Sequence, residues 1–185
     1  MIVFDLDGTL ADCEHRRHFI DPTKNEDLSW EFESVDNHGI PLNGTEHKGN
    51  WFHPNDLTNP WKPDWKAFYE ACDQDKPIYN VMQMARCFMR HEESNVQIWS
   101  GRSEEVYQKT IDWLFANQMK GFTCLKMRPI GDYTPDDQLK ERWLDEALAK
   151  GEKIQFVVDD RPKVIRMWRR RGIFVFDVNQ SGEEF

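Results

Sequence analysis

Residues 1–12, MIVFDLDGTLAD, govern how the rest of the chain is read. Met1–Phe4 is an apolar run of the kind that forms a buried strand. It ends in two aspartates, Asp5 and Asp7, and then a Gly8-Thr9 turn. In extended backbone, residues two apart share a face, and carboxylates at that spacing repel each other. Stability alone would not place them there, so the pair asks for a chemical reason elsewhere in the chain.

Beyond Leu10 the character changes. Residues 11–76 are punctuated by Gly, Pro and Asn, as in NHGIPLNGTEHKGN and HPNDLTNPWKP, with KPDWKAFYEAC as a short helical candidate. This stretch reads as an inserted, cap-like lobe, with Trp30, Trp51, Trp61 and Trp65 as its aromatic core. From Pro77 the pattern is regular. IYNVMQMARCFMRHE has helical spacing, with Val81, Met84, Ala85 and Phe88 on one face. NVQIWSG is a second strand ending in a turn, and SEEVYQKTIDWLFAN a helix with acidic residues in its first turn. FTCLKM is a third strand. TPDDQLKERWLDEALAKG carries helix boundary signals: Thr134 as N-cap, Pro135 at the first helical position and Gly151 at the end. KIQFVVDD is a fourth strand, RPKVIRMWRRRG a helix, and IFVFDV a fifth strand.

Strands alternating with helices predict an α/β fold of the Rossmann type, a parallel sheet with helices on both faces. Residues 1–10 and 77–185 form the core, and 11–76 the small cap inserted after the first strand. Ligands of such sheets bind at the strand C-termini. Asp5 and Asp7 end the first strand, Ser100 the second, and Asp159 and Asp160 the fourth; Lys140 lies early in the helix before the fourth. These residues are expected to converge on one edge.

The totals set bounds. The 185 residues suffice for one good core and a small second lobe. Residues 12–76 hold 14 acidic and 7 basic residues, so this stretch carries −7 of the total charge of −9. That balance argues against wrapping long nucleic acid by general electrostatics, though not against a local basic groove. The cysteines Cys13, Cys72, Cys87 and Cys124 form no CxxC pair and are expected to be reduced. With no signal peptide, presequence or spanning apolar run, the expected location is the cytosol, or that of a host cell, with no membrane partner.

Carboxylates meeting at one edge require a cation, and oxygen-only ligands with partial hydration suit Mg²⁺. A metal beside a lysine, a serine hydroxyl and Gly8-Thr9 amides suits a phosphoryl group. Asp5 can then attack phosphorus, while Asp7 protonates the leaving oxygen and later deprotonates water. A non-catalytic, receiver-like phosphate-binding domain would share the acids, hydroxyls and lysine; Asp7, placed to release the phosphate, disfavours it.

On these residues the chain resembles the haloacid dehalogenase superfamily of aspartate-nucleophile phosphotransferases. FDLDGTLAD, IWSGR, Lys140 in QLKERW, and VVDDRP are similar to its four motifs. The resemblance implies Asp5 as nucleophile and metal ligand, and Asp7 as acid/base and metal ligand through its carbonyl. Ser100 and Lys140 bind phosphate, Asp159 binds Mg²⁺, and Asp160 supports the metal's water shell. SGRSEE, DDQLKERW and DDRPKVIRMWRRRGI further resemble the 3′-phosphatase domain of bacteriophage polynucleotide kinase-phosphatase. That likeness adds Arg102, within Ser100-Gly101-Arg102, and Arg161 as phosphate-binding groups. The implied activity is a Mg²⁺-dependent phosphomonoesterase acting on 3′-phosphorylated nucleic-acid ends, the alternative being free nucleotides or other small esters. No GxxxxGK[ST] is present, so no kinase domain is expected within this chain. Cys13, His15 and His18 lack the partners to complete a zinc site. Arg16 and Arg17 are either a solvated helix start or groups facing the site. Arg169, Arg170 and Arg171 close a helix where cations are favoured in any case.

Overall fold

The computed structural model describes residues 1–24, 31–34, 49–53, 56–91 and 95–179, without the side chains of residues 31–34, 49–53 and 56–60. The chain divides into two compact units: Met1–Cys13 with Cys72–Phe185, and Glu14–Ala71.

The larger unit is built on five parallel strands. They are β1 (Ile2–Phe4), β7 (Val96–Ser103), β8 (Cys124–Arg128), β9 (Phe156–Asp159) and β10 (Val175–Asp177), in spatial order β10-β9-β1-β7-β8. A short antiparallel pair, β2 (Ala11–Asp12) with β6 (Lys76–Pro77), also belongs to this unit. β1 is central and pairs on both sides: Phe4 lies opposite Ile98 and Val158. Strands buried on both faces need continuous apolar runs, and Ile2, Val3, Phe4, Val157 and Val158 supply them.

Four helices flank the sheet: α2 (Tyr79–Met89), α3 (Tyr107–Ala116), α4 (Asp136–Ala149) and α5 (Pro162–Arg170). On one face Val3, Trp99, Val157 and Val175 pack with Leu139, Trp143 and Leu144 of α4 and Val164, Ile165 and Trp168 of α5. The Trp99 and Trp143 rings meet edge to face, 5.9 Å apart, an arrangement that adds to simple burial. Three indoles also spend their N–H groups: Trp99 on Gln97 Oε1 at 2.9 Å, Trp113 on the Asp75 carbonyl at 2.8 Å, and Trp168 on Asp159 Oδ2 at 3.3 Å. α2 buries Val81, Met82 and Ala85, so Met82 rather than Met84 leads its apolar face, with Met84 and Phe88 half-buried.

Two boundaries move from the sequence expectation, for local reasons. β7 does not stop at the Ser100-Gly101 turn; it runs to Ser103 with a register irregularity against β8 between Ser100 and Ser103. α4 begins at Asp136, with Pro135 extended as a cap that makes no side-chain hydrogen bond. Thr134 is not the N-cap: its N–H donates to Asp132 Oδ1 and its carbonyl accepts from Arg128.

The smaller unit contains two 3₁₀ turns (Glu14–Phe19 and Pro22–Lys24) and the helix α1 (Trp65–Glu70). Asp64 caps α1, accepting from the Ala67 N–H at 2.9 Å, a bond worth about 1 kcal/mol. It also holds a three-stranded antiparallel sheet, β3 (Glu31–Ser34), β4 (Gly49–His53) and β5 (Asp56–Pro60), that sequence reading missed. The signal was weak because β3 pairs with β4 across 14 intervening residues. Of the tryptophans expected to form an aromatic core, Trp30 and the Trp51 side chain lie outside the described residues. Trp65 is half-exposed and contacts Phe68 and Tyr69.

Candidate active site

The C-terminal edge of the five-stranded sheet brings five expected residues together. Asp5 leaves β1, Asp159 and Asp160 leave β9, Arg161 follows them, and Lys140 comes from the second turn of α4. Lys140 is buried, and its Nζ donates to Asp5 Oδ1 at 2.7 Å and to Asp159 Oδ2 at 2.9 Å. Asp5, Asp159 and Asp160 each offer an oxygen, and these atoms lie within 4.8 Å of one another. The Asp159 carboxylate is fixed on its outer side by Trp168 Nε1 and the Arg161 backbone N–H.

Asp160 is seated against the first turn. Thr9 donates its hydroxyl to Asp160 Oδ1 at 2.8 Å. Gly8 has φ +84°, and a Cβ there would lie 2.0 Å from Asp160 Oδ2. Glycine is therefore required twice, for the backbone and for the space. The same turn uses the expected phosphate-binding amides internally: Gly8 N–H donates to the Ala11 carbonyl and Thr9 N–H to the Leu6 carbonyl. The structure thus places Thr9 on Asp160, with its amide inside the loop.

Burial of so many carboxylates reshapes their protonation. Burial pushes Asp5 well above the usual carboxylate range; Asp159, Asp160 and Asp136 add to the rise, and Lys140 opposes it. Asp160 is pushed up to about 6, first by burial and then by Asp159, against the Thr9 hydrogen bond and Lys140. Burial would lower Lys140, but Asp159, Asp5 and Asp136 overcome it and hold the ammonium charged. Carboxylates whose charge is disfavoured by burial and by one another are the electrostatic condition that a hard divalent cation relieves. Asp5, Asp159 and Asp160 fit such an ion.

Asp7 behaves differently. Its carboxylate lies in the grip of Arg102, which donates through Nε at 3.0 and 3.1 Å and through Nη2. Arg102 is fully buried and also donates to Asp75 Oδ2 and, at 3.3 Å, to Thr110 Oγ1. The guanidinium expected to hold phosphate is therefore committed to Asp7 and Asp75. Ser100, also buried, accepts from the Arg102 backbone N–H at 3.2 Å. Gly101 lies under Asp136: a Cβ there would be 2.3 Å from Asp136 Oδ1.

Asp136, Asp75 and Arg128 were not singled out from sequence. Asp136 pairs with Arg161 at 3.3 Å, Arg128 at 3.1 Å and Lys140 at 3.7 Å. One signal was available, since Asp136 stands four residues before Lys140 and so shares its helix face. Asp75 and Arg128 had none, because only the fold brings them to Arg102 and Asp136.

The other arginines weighed from the sequence have partners. Arg169 pairs with Asp177, Arg170 with Glu141, and Arg171 with Glu141 and Asp145, so the RRR run is neutralised by acids of α4 and β10. Arg16 and Arg17 are not solvated: both are buried in the smaller unit. Arg16 donates to the Phe68 carbonyl and stacks 4.1 Å over its ring, while Arg17 lies near Glu14 and Asp21. None of Cys13, Cys72, Cys87 and Cys124 is in a disulfide. Among the described residues no helix is long and apolar enough to cross a membrane.

Solved proteins share this fold. The fold matches a chain of the Pnkp1/Rnl/Hen1 RNA repair complex at 22% identity and TM-score 0.63, covering 98% of this chain and 43% of that one. This chain thus spans less than half of that relative. It also matches the haloacid dehalogenase-like hydrolase SP0104 from Streptococcus pneumoniae (12% identity, TM-score 0.53, 95% and 82% covered). CbbY from Rhodobacter sphaeroides, solved in complex with phosphate, matches at 15% identity and TM-score 0.52, with 100% and 89% covered. No curated protein matches the sequence. Residues 65–183 match the model of the polynucleotide kinase PNKP phosphatase domain. The sheet, the buried aspartate cluster at its edge and that match agree: the chain belongs to the PNKP phosphatase-domain family of haloacid dehalogenase phosphatases.

Proposed function

We propose that the chain removes the phosphate from a 3′-phosphorylated nucleic-acid end, with Asp5 as nucleophile. The observation that carries the chemistry is Asp5 itself: a buried carboxylate facing Lys140 and grouped with Asp159 and Asp160. Those three aspartates would hold Mg²⁺, which when bound offsets charge on the transferring phosphoryl group. Lys140 would screen the approach of two anions, and Arg161, a third exposed and paired with Asp136, would bind phosphate oxygens.

Asp5 attacks phosphorus, the P–O bond to the ester breaks, and the leaving oxygen takes a proton from Asp7. Water then attacks the phosphorus carried by Asp5 and gives its proton to Asp7. The P–O bond to Asp5 breaks, releasing phosphate and restoring both carboxyl groups. Arg102 orients Asp7 for both steps, its guanidinium fixed in turn by Asp75 and Thr110.

Support for a polynucleotide end comes from the family, that of a polynucleotide kinase phosphatase domain, and from the relative found in an RNA repair complex. The test is phosphate release from 3′-phosphorylated and 5′-phosphorylated oligonucleotides, a 3′-mononucleotide and a small aryl phosphate, each with Mg²⁺ or EDTA. The expected result is Mg²⁺-dependent release from the 3′-phosphorylated oligonucleotide at the highest kcat/KM. A mononucleotide turned over far faster, at low salt, would reassign the substrate to small esters, and full activity in EDTA would remove the metal.

A further inference from the structure

The loop between β8 and α4, RPIGDYTP from Arg128 to Pro135, sits on the same sheet edge as the aspartate cluster and leads into Asp136 and Lys140. It displays two large side chains to solvent, Tyr133 at 91% exposure and Ile130 at 64%. An exposed aromatic on a flexible loop would mean little, but this loop is held. Asp132 N–H donates to the Pro129 carbonyl at 3.0 Å, and Gly131 between them has φ +78°. Glycine at the third position of such a turn supplies the conformation that type II geometry requires. Asp132 takes the Thr134 N–H at 2.8 Å and an Arg142 ion pair. These bonds, the Thr134 hydrogen bonds first, hold its carboxyl below the usual range.

Arg128 completes the frame by donating to the carbonyls of Gly101, Asp132 and Thr134 and to Asp136 Oδ1. The Tyr133 backbone is thus joined to the site by a continuous path through Arg128, Asp136, Lys140 and Asp5. A held loop that exposes an aromatic ring on the same sheet edge as the aspartate cluster is suited to base stacking. Every base has a π-face, and stacking on an aromatic side chain is worth about 1–3 kcal/mol per base.

We propose that Tyr133 is a stacking platform for a nucleobase at the phosphorylated end, so that this loop selects nucleic-acid ends over small esters. The proposal rests on the polynucleotide reading above and adds the residue that enforces it. Tyr133 takes no part in bond making.

The test compares wild type with Tyr133→Ala, Tyr133→Phe and Tyr133→Leu on three probes: a 3′-phosphorylated oligonucleotide, the same oligonucleotide with abasic terminal residues, and a small aryl phosphate. In Tyr133→Ala the ratio of kcat/KM on the oligonucleotide to that on the aryl phosphate should fall about 5- to 150-fold, mainly through KM. Phe should restore the ratio and Leu should not, since the π-face rather than bulk is the requirement. The abasic probe should lower wild-type kcat/KM by a similar factor and leave Tyr133→Ala with little further loss. An unchanged ratio in Tyr133→Ala, with wild type active on the oligonucleotide, overturns the platform alone; full rescue by Leu or an unaffected abasic probe does the same. A wild type that releases phosphate from the aryl ester but not from the oligonucleotide overturns the substrate reading and the platform with it.

Discussion

Replacing Asp160 by Asn should make the metal-free protein more stable at about pH 8. The side chain is 4% exposed, sits against Gly8 and accepts from Thr9. Burial and the neighbouring Asp159 carry its pKa from 3.8 to about 6. A folded pKa above the unfolded one gives stability that is fully present below the unfolded value and lost as pH rises through the folded one. By about pH 8 the ionised carboxylate has therefore surrendered its contribution, about 3 kcal/mol at roughly 1.4 kcal/mol per pH unit. An amide cannot ionise and can still accept from Thr9. The variant should match wild type near pH 4 and exceed it by up to ~3 kcal/mol at about pH 8, or about 6–12 °C in Tm. Thermal unfolding in EDTA, followed by tryptophan fluorescence at several pH values, measures this. Mg²⁺ at about a thousand times its Kd should reverse the order, since it adds about 4.1 kcal/mol to the state that binds it and the variant lacks one charged oxygen. No gap at high pH in EDTA, or a gap that widens as pH falls, would refute the reasoning.

Asp5→Asn should remove turnover by several orders of magnitude while leaving the melting transition cooperative, since an amide supplies no attacking anion to a reaction with so high an uncatalysed barrier. Asp7→Asn should instead let phosphate from a good leaving group accumulate on Asp5, because the general base for hydrolysis is gone. Borohydride trapping with mass spectrometry reads this, and label on another residue would contradict the assignment. Gly8→Ala should cost at least ~1–2 kcal/mol from its left-handed backbone alone. It should also raise the Mg²⁺ concentration needed for half-maximal activity, because the new Cβ must displace the Asp160 carboxylate. Intact Mg²⁺ affinity in a folded Gly8→Ala protein would show that Asp160 is not held where the turn places it.

The parallel sheet was legible because β1 and β9 are short apolar runs, Met1–Phe4 and Phe156–Val158, and the segments between strands carry helical periodicity. The site was legible to the same extent: in a parallel sheet the residue that ends a strand necessarily faces the ligand edge, so Asp5, Asp159 and Asp160 could be placed from their positions alone. The antiparallel sheet of the smaller unit was not, because β3 and β4 are short and find each other only through distant pairing. Nor was the work of Arg102. Sequence shows an arginine after Ser-Gly, a natural phosphate ligand. The fold brings Asp75 and Thr110 to its guanidinium and leaves Asp7 as a further acceptor, so it grips the Asp7 carboxylate. Local pattern determines which backbone groups pair and which face is apolar. Partners 27 and 95 residues away, as Asp75 and Asp7 are from Arg102, are decided only when packing removes water and every buried charge must find an opposite one.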